Sequence, residues 1–492
     1  MNVCQAIIKG IAADRGLYVP ERFPRLGERP DGSFEEPQSL WDRFAKLSYK
    51  ELAAQVLAPY LPEFSEEELK ACIDGAYDGK YSAKEIVPVV KAGGAYFLEL
   101  YHGPTAAFKD MALQLMPRLL TASMKKQHED KTVVILVSTS GDTGTAALKG
   151  FENVPGTRIV VFFPDGAVSP VQERQMRTAS GSNAKVFSIM GNFDDAQTTQ
   201  KQILSDPVLA EEMAAKGFTF SAANSMNVGR LLPQIVYYVW GYTQLVKQGA
   251  VRPGESVDIC VPSGNFGNIL SAYYAMKMGV PVKRLICASN KNKVLTDFIN
   301  TGVYDANREF YVTNSPSMDI LISSNLERLL YHLAEGDPAE VRKLMDSLAK
   351  DGRYTVPECI KSGLDGLFSA GFADEAEITE AIGTLYKDEH YLMDTHTAVG
   401  YKVWKDYAEK TGDTTPVLIA ATASPYKFAS SIAESIGVPE GKDPFETIED
   451  LSRATGLPVP EGLKGLKGRR IVHKEAIKRE DMKQRVKQLL GL

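Results

Sequence analysis

Cysteine and histidine are too few and too scattered in this chain to build a disulfide or metal framework. The five cysteines (Cys4, Cys72, Cys260, Cys287, Cys359) are odd in number and form no CxxC pair, which points to free thiols in a reducing compartment. The six histidines show neither HExxH nor Cys/His ligand spacing, so no metal is expected. Long apolar runs are also missing. The longest uncharged one, residues 231–246, contains Pro233, Gln234 and Gln244; it falls short of a membrane span and reads as a buried core helix. The start, MNVCQAIIKGIAADRG, lacks the basic opening and apolar core of a signal peptide. Neither sign of charge dominates: a net charge of −6 gives no global pull toward nucleic acid or anionic lipid. Internal repeats and low-complexity segments are absent. A cytoplasmic protein without nucleic-acid or membrane partners is expected.

What is present is the ordinary balance of a globular protein, 44% hydrophobic and 24% charged, over 492 residues, enough for two or three domains. Residues 1–92 read as a separate unit, with a turn-rich patch at 25–37 and helical patterns over 41–60 and 65–77. The SEEE at 65–68 is a helix start, a capping serine followed by acids. From about residue 93, β-branched runs alternate with longer helical ones: 133–137, 159–163, 185–189, Phe218–Ser221, 257–261, 284–288 and 417–420. Such alternation predicts parallel sheets covered by helices on both faces, and so many strands suggest two sheets. Ligands of open α/β sheets bind beyond the strands' carboxyl ends, which directs attention to the loops after these runs. The basic tail from Lys464 predicts an amphipathic helix over 475–490 with a solvated charged face. No aromatic residues are interleaved there as nucleic-acid binding would require.

The stretch 101–114, YHGPTAAFKDMALQ, follows an apolar run at 96–100 and opens into a helix. It sets Lys109 between Phe108 and the apolar Met111, Leu113 and Leu115. Burial disfavours the charged ammonium and makes an amine a nucleophile or base near neutrality; the alternative is a lysine whose stem lies on the core and whose head stays in water. Strand 133–137 runs into Ser138-Thr139-Ser140-Gly141-Asp142-Thr143-Gly144 before a helix at 145–149. That is either an anion loop or a capped turn. Strand 257–261 runs into PSGNFGN, whose Gly264 and Gly267 allow an anion close to the backbone at a helix start. This is neither GxxxxGK[ST] nor GxGxxG, so a phosphorylated cofactor other than a nucleotide fits better. In SAANSMNVGR, Asn224, Ser225, Asn227 and Arg230 form a second anion-binding candidate, or a helix cap followed by a surface arginine. Strand 417–420 ends in Ala421-Thr422-Ala423-Ser424-Pro425. A buried lysine, a glycine-rich anion cradle, a strand-end hydroxyl and a second anion site together describe a pyridoxal 5′-phosphate enzyme. Lys109 then carries the cofactor as a Schiff base, the Gly264 loop holds its phosphate, and Thr422 bonds its ring nitrogen.

HGPTAAFKD, TSGDTGTAAL, NSMNVGR, PSGNFGN and TASPYKF, in this order, with ADRGLYVP at 13–20, resemble the longer microbial threonine synthases. The resemblance spans nearly the whole chain. It implies the fold-type II α/β architecture of tryptophan synthase β: two twisted, mostly parallel sheets flanked by helices, plus a mostly helical N-terminal domain at 1–92. A large cofactor-binding domain would take 93–125 and 241–492, and a smaller mobile one 126–240. The implied reaction converts O-phospho-L-homoserine and water to L-threonine and phosphate, in a monomer or homodimer. By motif, Lys109 would be the Schiff-base lysine and acid/base, and Gly264, Asn265, Phe266, Gly267 and Asn268 would bind the cofactor phosphate. Thr422 would contact the ring nitrogen. Thr139, Ser140 and Asp142 would line the substrate carboxylate and ring O3′, and Asn224, Ser225, Asn227 and Arg230 would face the substrate phosphate. Two departures stand out. The family's TAHP is here Thr422-Ala423-Ser424-Pro425, which removes a histidine beside Thr422, and the tail beyond about 440 carries no motif. A related outcome with the same lysine and glycine loop is a phospho-lyase that releases a 2-oxo acid, phosphate and ammonia. A catalytically silent binding module is disfavoured by the intact Lys109, Thr422 and anion loops.

Overall fold

The β-branched runs become strands within two residues of their expected bounds, and they sort into two sheets. The structure, a computed structural model, describes residues 1–492 except Pro30, Ser140, Ala167 and Asn192 and the side chains of Phe193 and Asp194. The larger sheet has six strands in the order Val89–Ala92, Ala95–Glu99, Val417–Ala421, Val257–Pro262, Val282–Ser289 and Phe368–Phe372. All neighbours are parallel except the first pair, an antiparallel hairpin. Every residue of Val257–Pro262 and of Val417–Ala421 is buried, as central strands covered on both faces must be. The second sheet is wholly parallel, in the order Ala476–Lys478, Ala184–Met190, Thr157–Pro164, Thr132–Ser138 and Phe218–Ser221.

The 20-residue helix Val228–Lys247 packs on the six-stranded sheet, Gly241 against Leu418 and Leu98; it is buried from Val228 to Leu245, longer than the expected 231–246 at its start. The N-terminal helices pack on it, with Trp41 against Tyr242 at a ring separation of 4.4 Å. The helical pattern expected over 41–60 is two helices, Pro37–Phe44 and Tyr49–Leu57, with a short 3-10 turn after the second. The break arises because Ser48 and Glu51 form a capping box and restart the chain. Ser65 and Glu68 do the same for Glu66–Tyr77, as expected.

The tail departs from expectation. In place of a single solvated helix over 475–490, Ala476–Lys478 adds a parallel edge strand to Ala184–Met190, and a 3-10 turn at Arg479–Asp481 leads into the α-helix Met482–Leu490. Met482, Val486 and Leu490, spaced by four, enter the core against Leu136, Phe162 and Ile189. The charged face pairs with the same unit, Lys487 with Glu212 at 2.5 Å and Lys483 with Asp206. The strand and helix at the end of the chain therefore pack on the unit expected at 126–240.

Asp258, on the central strand, is 1% exposed, and its Oδ1 has no hydrogen-bond partner among the described residues. Burial, then the nearby Asp413, pushes its carboxyl from 3.8 up to about 7, against the opposing Lys283. The folded chain thus keeps a proton that the unfolded chain has lost, and stability falls as pH rises from about 4 to about 7. Asp258→Asn is expected to remove that slope and to stabilise the protein at pH 8 by about 1–3 kcal/mol. Urea midpoints at pH 5 and pH 8 measure it; a variant no more stable than wild type at pH 8 would refute the assignment.

Candidate active site

Backbone pairing brings the lysine and the strand-end threonine together. Leu100 N–H donates to Ala421 O at 2.9 Å, Phe108 N–H to Thr422 O at 2.8 Å and Ser424 N–H to Ala106 O at 3.0 Å. The loop before Lys109 is held by Asp110, fully buried, which accepts from Thr105 N and Oγ1 at 2.8 and 2.7 Å. Lys109 opens the helix Lys109–Leu113, its side chain 13% exposed. Its Nζ lies 3.4 Å from Ser317 Oγ and 3.6 Å from Asp142 Oδ2. Burial pushes the amine's pKa down; Asp142 opposes this, while Lys427 and Arg230 add to it. The snorkelling alternative therefore does not hold.

Asp142 is not turned toward open space. Lys427 Nζ, fully buried, pairs with its Oδ1 at 2.6 Å and also donates to Thr105 O at 3.0 Å, and Gln172 Nε2 donates to the same Oδ1 at 2.8 Å. Burial alone would raise Asp142, but the ammonium groups of Lys427 and then Lys109 outweigh it and hold the carboxyl well below its usual range. Asp142 is the counter-ion of two lysines and does not itself line the cavity described below.

A cavity of about 500 Å³ is walled by Lys109, Thr139, Asn224, Ser225, Arg230, the 264–268 turn and Thr422. In that turn a Cβ on Gly264 would come within 2.9 Å of Ser317 O, so only glycine fits. Phe266 adopts a left-handed φ of 63°, and the helix Gly267–Met278 starts with no side-chain cap. Ser323 Oγ donates to Gly264 O at 2.8 Å and Asn325 Nδ2 to Asn265 O at 2.9 Å. With those carbonyls drawn off, the amide side of the turn is left to the cavity.

Two buried donors there lack partners among the described residues. Asn268 Oδ1 accepts from Tyr237 and Tyr238 at 2.9 and 2.5 Å, but its Nδ2 has no acceptor. Arg230, 3% exposed, gives one Nη1 bond to Ala223 O at 3.3 Å; its Nε is unpaired and no carboxylate meets it. Burial brings this guanidinium down to about 10. An uncapped helix start beside orphaned amide and guanidinium donors is the donor set a phosphate takes, so the residues present fit a phosphorylated group.

The other expected residues divide. Asn224 and Ser225 line the cavity, Ser225 sharing a hydroxyl contact with Ser324 at 3.3 Å. Asn227 does not. Fully buried, it accepts from Gly229 N at 2.8 Å and donates to Ile7 O and Ala222 O at 3.0 and 2.8 Å. It caps the long helix and ties it to the N-terminal one, and nothing remains for a ligand. Arg230, three residues on, is the reverse case: the surface arginine of the alternative reading is buried. Thr139 lines the cavity, yet its Oγ1 is occupied by Gly141 and Gly144 N–H, both at 2.9 Å. Ser140 lies outside the described residues. Thr422, 6% exposed, lines the cavity.

Unforeseen from sequence were Lys427, although inside a quoted motif, and Ser317, Asp394 and His396. His396 supplies the cavity wall with the imidazole that the missing TAHP histidine had put in doubt, from a different helix start, Thr395–Thr411.

Three family models match the chain. One described as "Threonine synthase N terminus" covers residues 1–77, "Pyridoxal-phosphate dependent enzyme" covers 88–423, and "Threonine synthase, C-terminal" covers 397–486. Threonine synthase-like 1 of Homo sapiens is 38% identical over 450 residues, covering 89% of this chain and 58% of that protein. The chain thus spans less than two thirds of that relative's length. Threonine synthase of Schizosaccharomyces pombe is 36% identical over 459 residues, 87% of this chain and 85% of that one. The crystal structure of PLP-bound threonine synthase from Brucella melitensis matches with a TM-score of 0.85 at 34% identity, over 100% of this chain and 96% of that one.

Proposed function

Since the chain belongs to the threonine synthase family of pyridoxal-phosphate-dependent enzymes, we propose that it converts O-phospho-L-homoserine and water to L-threonine and phosphate. What carries the reading is one cavity holding a buried lysine, an uncapped helix start and a buried arginine that lacks a carboxylate. Gly264, Asn265, Phe266, Gly267 and Asn268 would hold the cofactor phosphate, with Asn268 Nδ2 given an acceptor. Thr422 would bond the ring nitrogen as a neutral partner, and Lys109 would be the amine that carries the cofactor. When bound, pyridoxal phosphate supplies an aldehyde that an amine captures and a ring that accepts the electron pair left at a carbon losing its proton.

Everything else falls to the chain's own groups. Lys109, with its proton weakly held, takes the substrate's Cα proton and gives it up before taking one from Cβ; once phosphate has left Cγ, protons return to Cγ and Cα and water adds its hydroxyl at Cβ. Arg230, with Asn224 and Ser225, holds the substrate phosphate and stabilises it as it departs. Thr139 shapes the loop that the substrate carboxylate meets. The Asp142–Lys427 pair draws this loop onto the six-stranded sheet and keeps early water away from the reacting carbons. All five cysteines are free, in keeping with a reducing cytoplasm as the site of action.

Phosphate release from O-phospho-L-homoserine, coupled to identification of the product, is the test. Threonine formed in step with phosphate supports the proposal; 2-oxobutyrate and ammonia in its place would make the chain a phospho-lyase, and no phosphate would end both. Arg230→Ala is expected to raise KM for phosphohomoserine by roughly 10- to 100-fold through the lost charge-assisted bonds. An unchanged KM would move the substrate phosphate elsewhere.

A further inference from the structure

Asp142 holds its two lysines unequally: Lys427 at 2.6 Å and Lys109 at 3.6 Å. At the looser of the two contacts lies Ser317, in the 3-10 turn Pro316–Met318, a segment that no sequence motif marks. Its hydroxyl accepts from Lys109 Nζ at 3.4 Å and donates to Asp142 Oδ2 at 3.3 Å, so it bridges the ammonium and the carboxylate from one side while they stay 3.6 Å apart.

Where a serine hydroxyl can reach depends on where its backbone is held, and here the backbone is anchored. Ser317 N–H donates to His396 Nε2 at 3.1 Å. A ring nitrogen that accepts from an amide carries no proton, so the imidazole proton sits on Nδ1, 2.7 Å from Asp394 Oδ2. Asp394 is fully buried and caps its helix, accepting from His396 N and Thr397 N, both at 3.0 Å. Thr397 Oγ1, bonded to Asp394 as well, accepts from Thr422 N–H at 3.3 Å. On its other side the segment is pinned by Asp319, which accepts from Asn290 Nδ2 at 2.7 Å and Asn292 Nδ2 at 3.0 Å. One buried carboxylate, Asp394, thus reaches both the lysine side and the Thr422 side of the cavity without lining it.

We infer that Ser317, fixed by the Asp394–His396 pair, is a positioning residue that stops Lys109 from closing onto Asp142 and so keeps its amine ready to act as a base. This rests on the role proposed for Lys109. The charged groups facing that amine are Asp142, Lys427 and Arg230, and only Asp142 is an anion, so its separation from Nζ decides how firmly the ammonium is held. Without the hydroxyl, Lys109 can close to the roughly 2.8 Å of a charge-assisted bond.

The test reads the amine itself. The full-length chain, freed of cofactor, is trace-labelled with acetic anhydride across a pH series, and the Lys109 peptide is quantified by mass spectrometry. The labelling midpoint is expected to rise by about one pH unit or more in Ser317→Ala and in His396→Leu. In His396→Gln, whose amide oxygen can accept the same N–H, it is expected to stay near wild type. One folded variant of the first two, judged by its thermal midpoint, suffices. A midpoint unchanged in a folded variant overturns the inference, as does a His396→Gln shift as large as that of His396→Leu. A separate arm measures whether wild-type Lys109 retains pyridoxal phosphate after borohydride reduction. If it does not, the parent reading fails; if it does and the midpoints coincide, only the positioning role fails.

Discussion

Lys109→Ala is expected to lower turnover by on the order of 10⁴-fold or more and to leave no cofactor covalently attached after borohydride reduction. Two lysines stand beside Asp142, and geometry separates their tasks. Lys427 has a fully buried side chain, held by Asp142 and by Thr105 O, and does not line the cavity. Lys109 lines it, holds Asp142 only at 3.6 Å, and has its pKa lowered by burial. A buried lysine beside other cations, here Lys427 and Arg230, is a better base at neutral pH than one in water, and this outweighs the Phe108 ring face at 5.4 Å, which favours the ammonium. The substitution leaves Asp142 paired with Lys427 and Gln172, so the fold should survive it, with a loss below about 2 kcal/mol. Phosphate release at saturating substrate, alongside the mass of the reduced protein, measures both effects. Residual turnover within tenfold of wild type would remove Lys109 from the chemistry.

How far the sequence could be read follows from which interactions are local. Strands such as Thr132–Ser138 and Val257–Pro262 were legible because an unbroken β-branched run has few other ways to bury itself. The turns that follow them were legible because glycine at 264 and 267 and a helix start lie within one short stretch. Illegible was which member of a polar cluster turns inward. Asn227 and Arg230 are neighbours in one motif, yet the cap position sends Asn227 back to Ile7 O, while Arg230, a turn into the helix, lines the cavity. Ala476–Lys478 is three residues long and is a strand only because Ala184–Met190 supplies its hydrogen bonds from nearly 300 positions away. The same holds for Ser317: the ring that accepts its N–H, on His396, lies 79 positions away, and the nearby Asp394 that orients that ring gives no hint of it.

Asp142→Ala is expected to cost about 3–5 kcal/mol of stability at pH 7, because it strands a fully buried ammonium without its anion. The expectation rests on burial more than on the ion pair itself: Lys427's remaining hydrogen bond, to Thr105 O, brings no compensating charge. A double variant separates the two contributions. Asp142→Ala with Lys427→Met removes the stranded charge along with its partner, and should recover much of the loss. The pH dependence has a defined sign. The folded carboxyl is held well below its ordinary 3.8, so its contribution is fully present above about pH 4 and is lost as pH falls toward the folded value. The variant's acid limb should therefore be shallower than wild type's. Position adds a second consequence. Asp142 opens the helix after Thr132–Ser138 of the five-stranded sheet, and Lys427 lies just after Val417–Ala421 of the six-stranded one. The pair is thus a charged tie between the two sheets, behind the cavity wall. Urea unfolding of wild type, Asp142→Ala and the double variant at pH 7 and pH 4 measures these terms. A loss below about 1 kcal/mol for Asp142→Ala at pH 7 would mean that water reaches Lys427, and that the tie does not hold the sheets together.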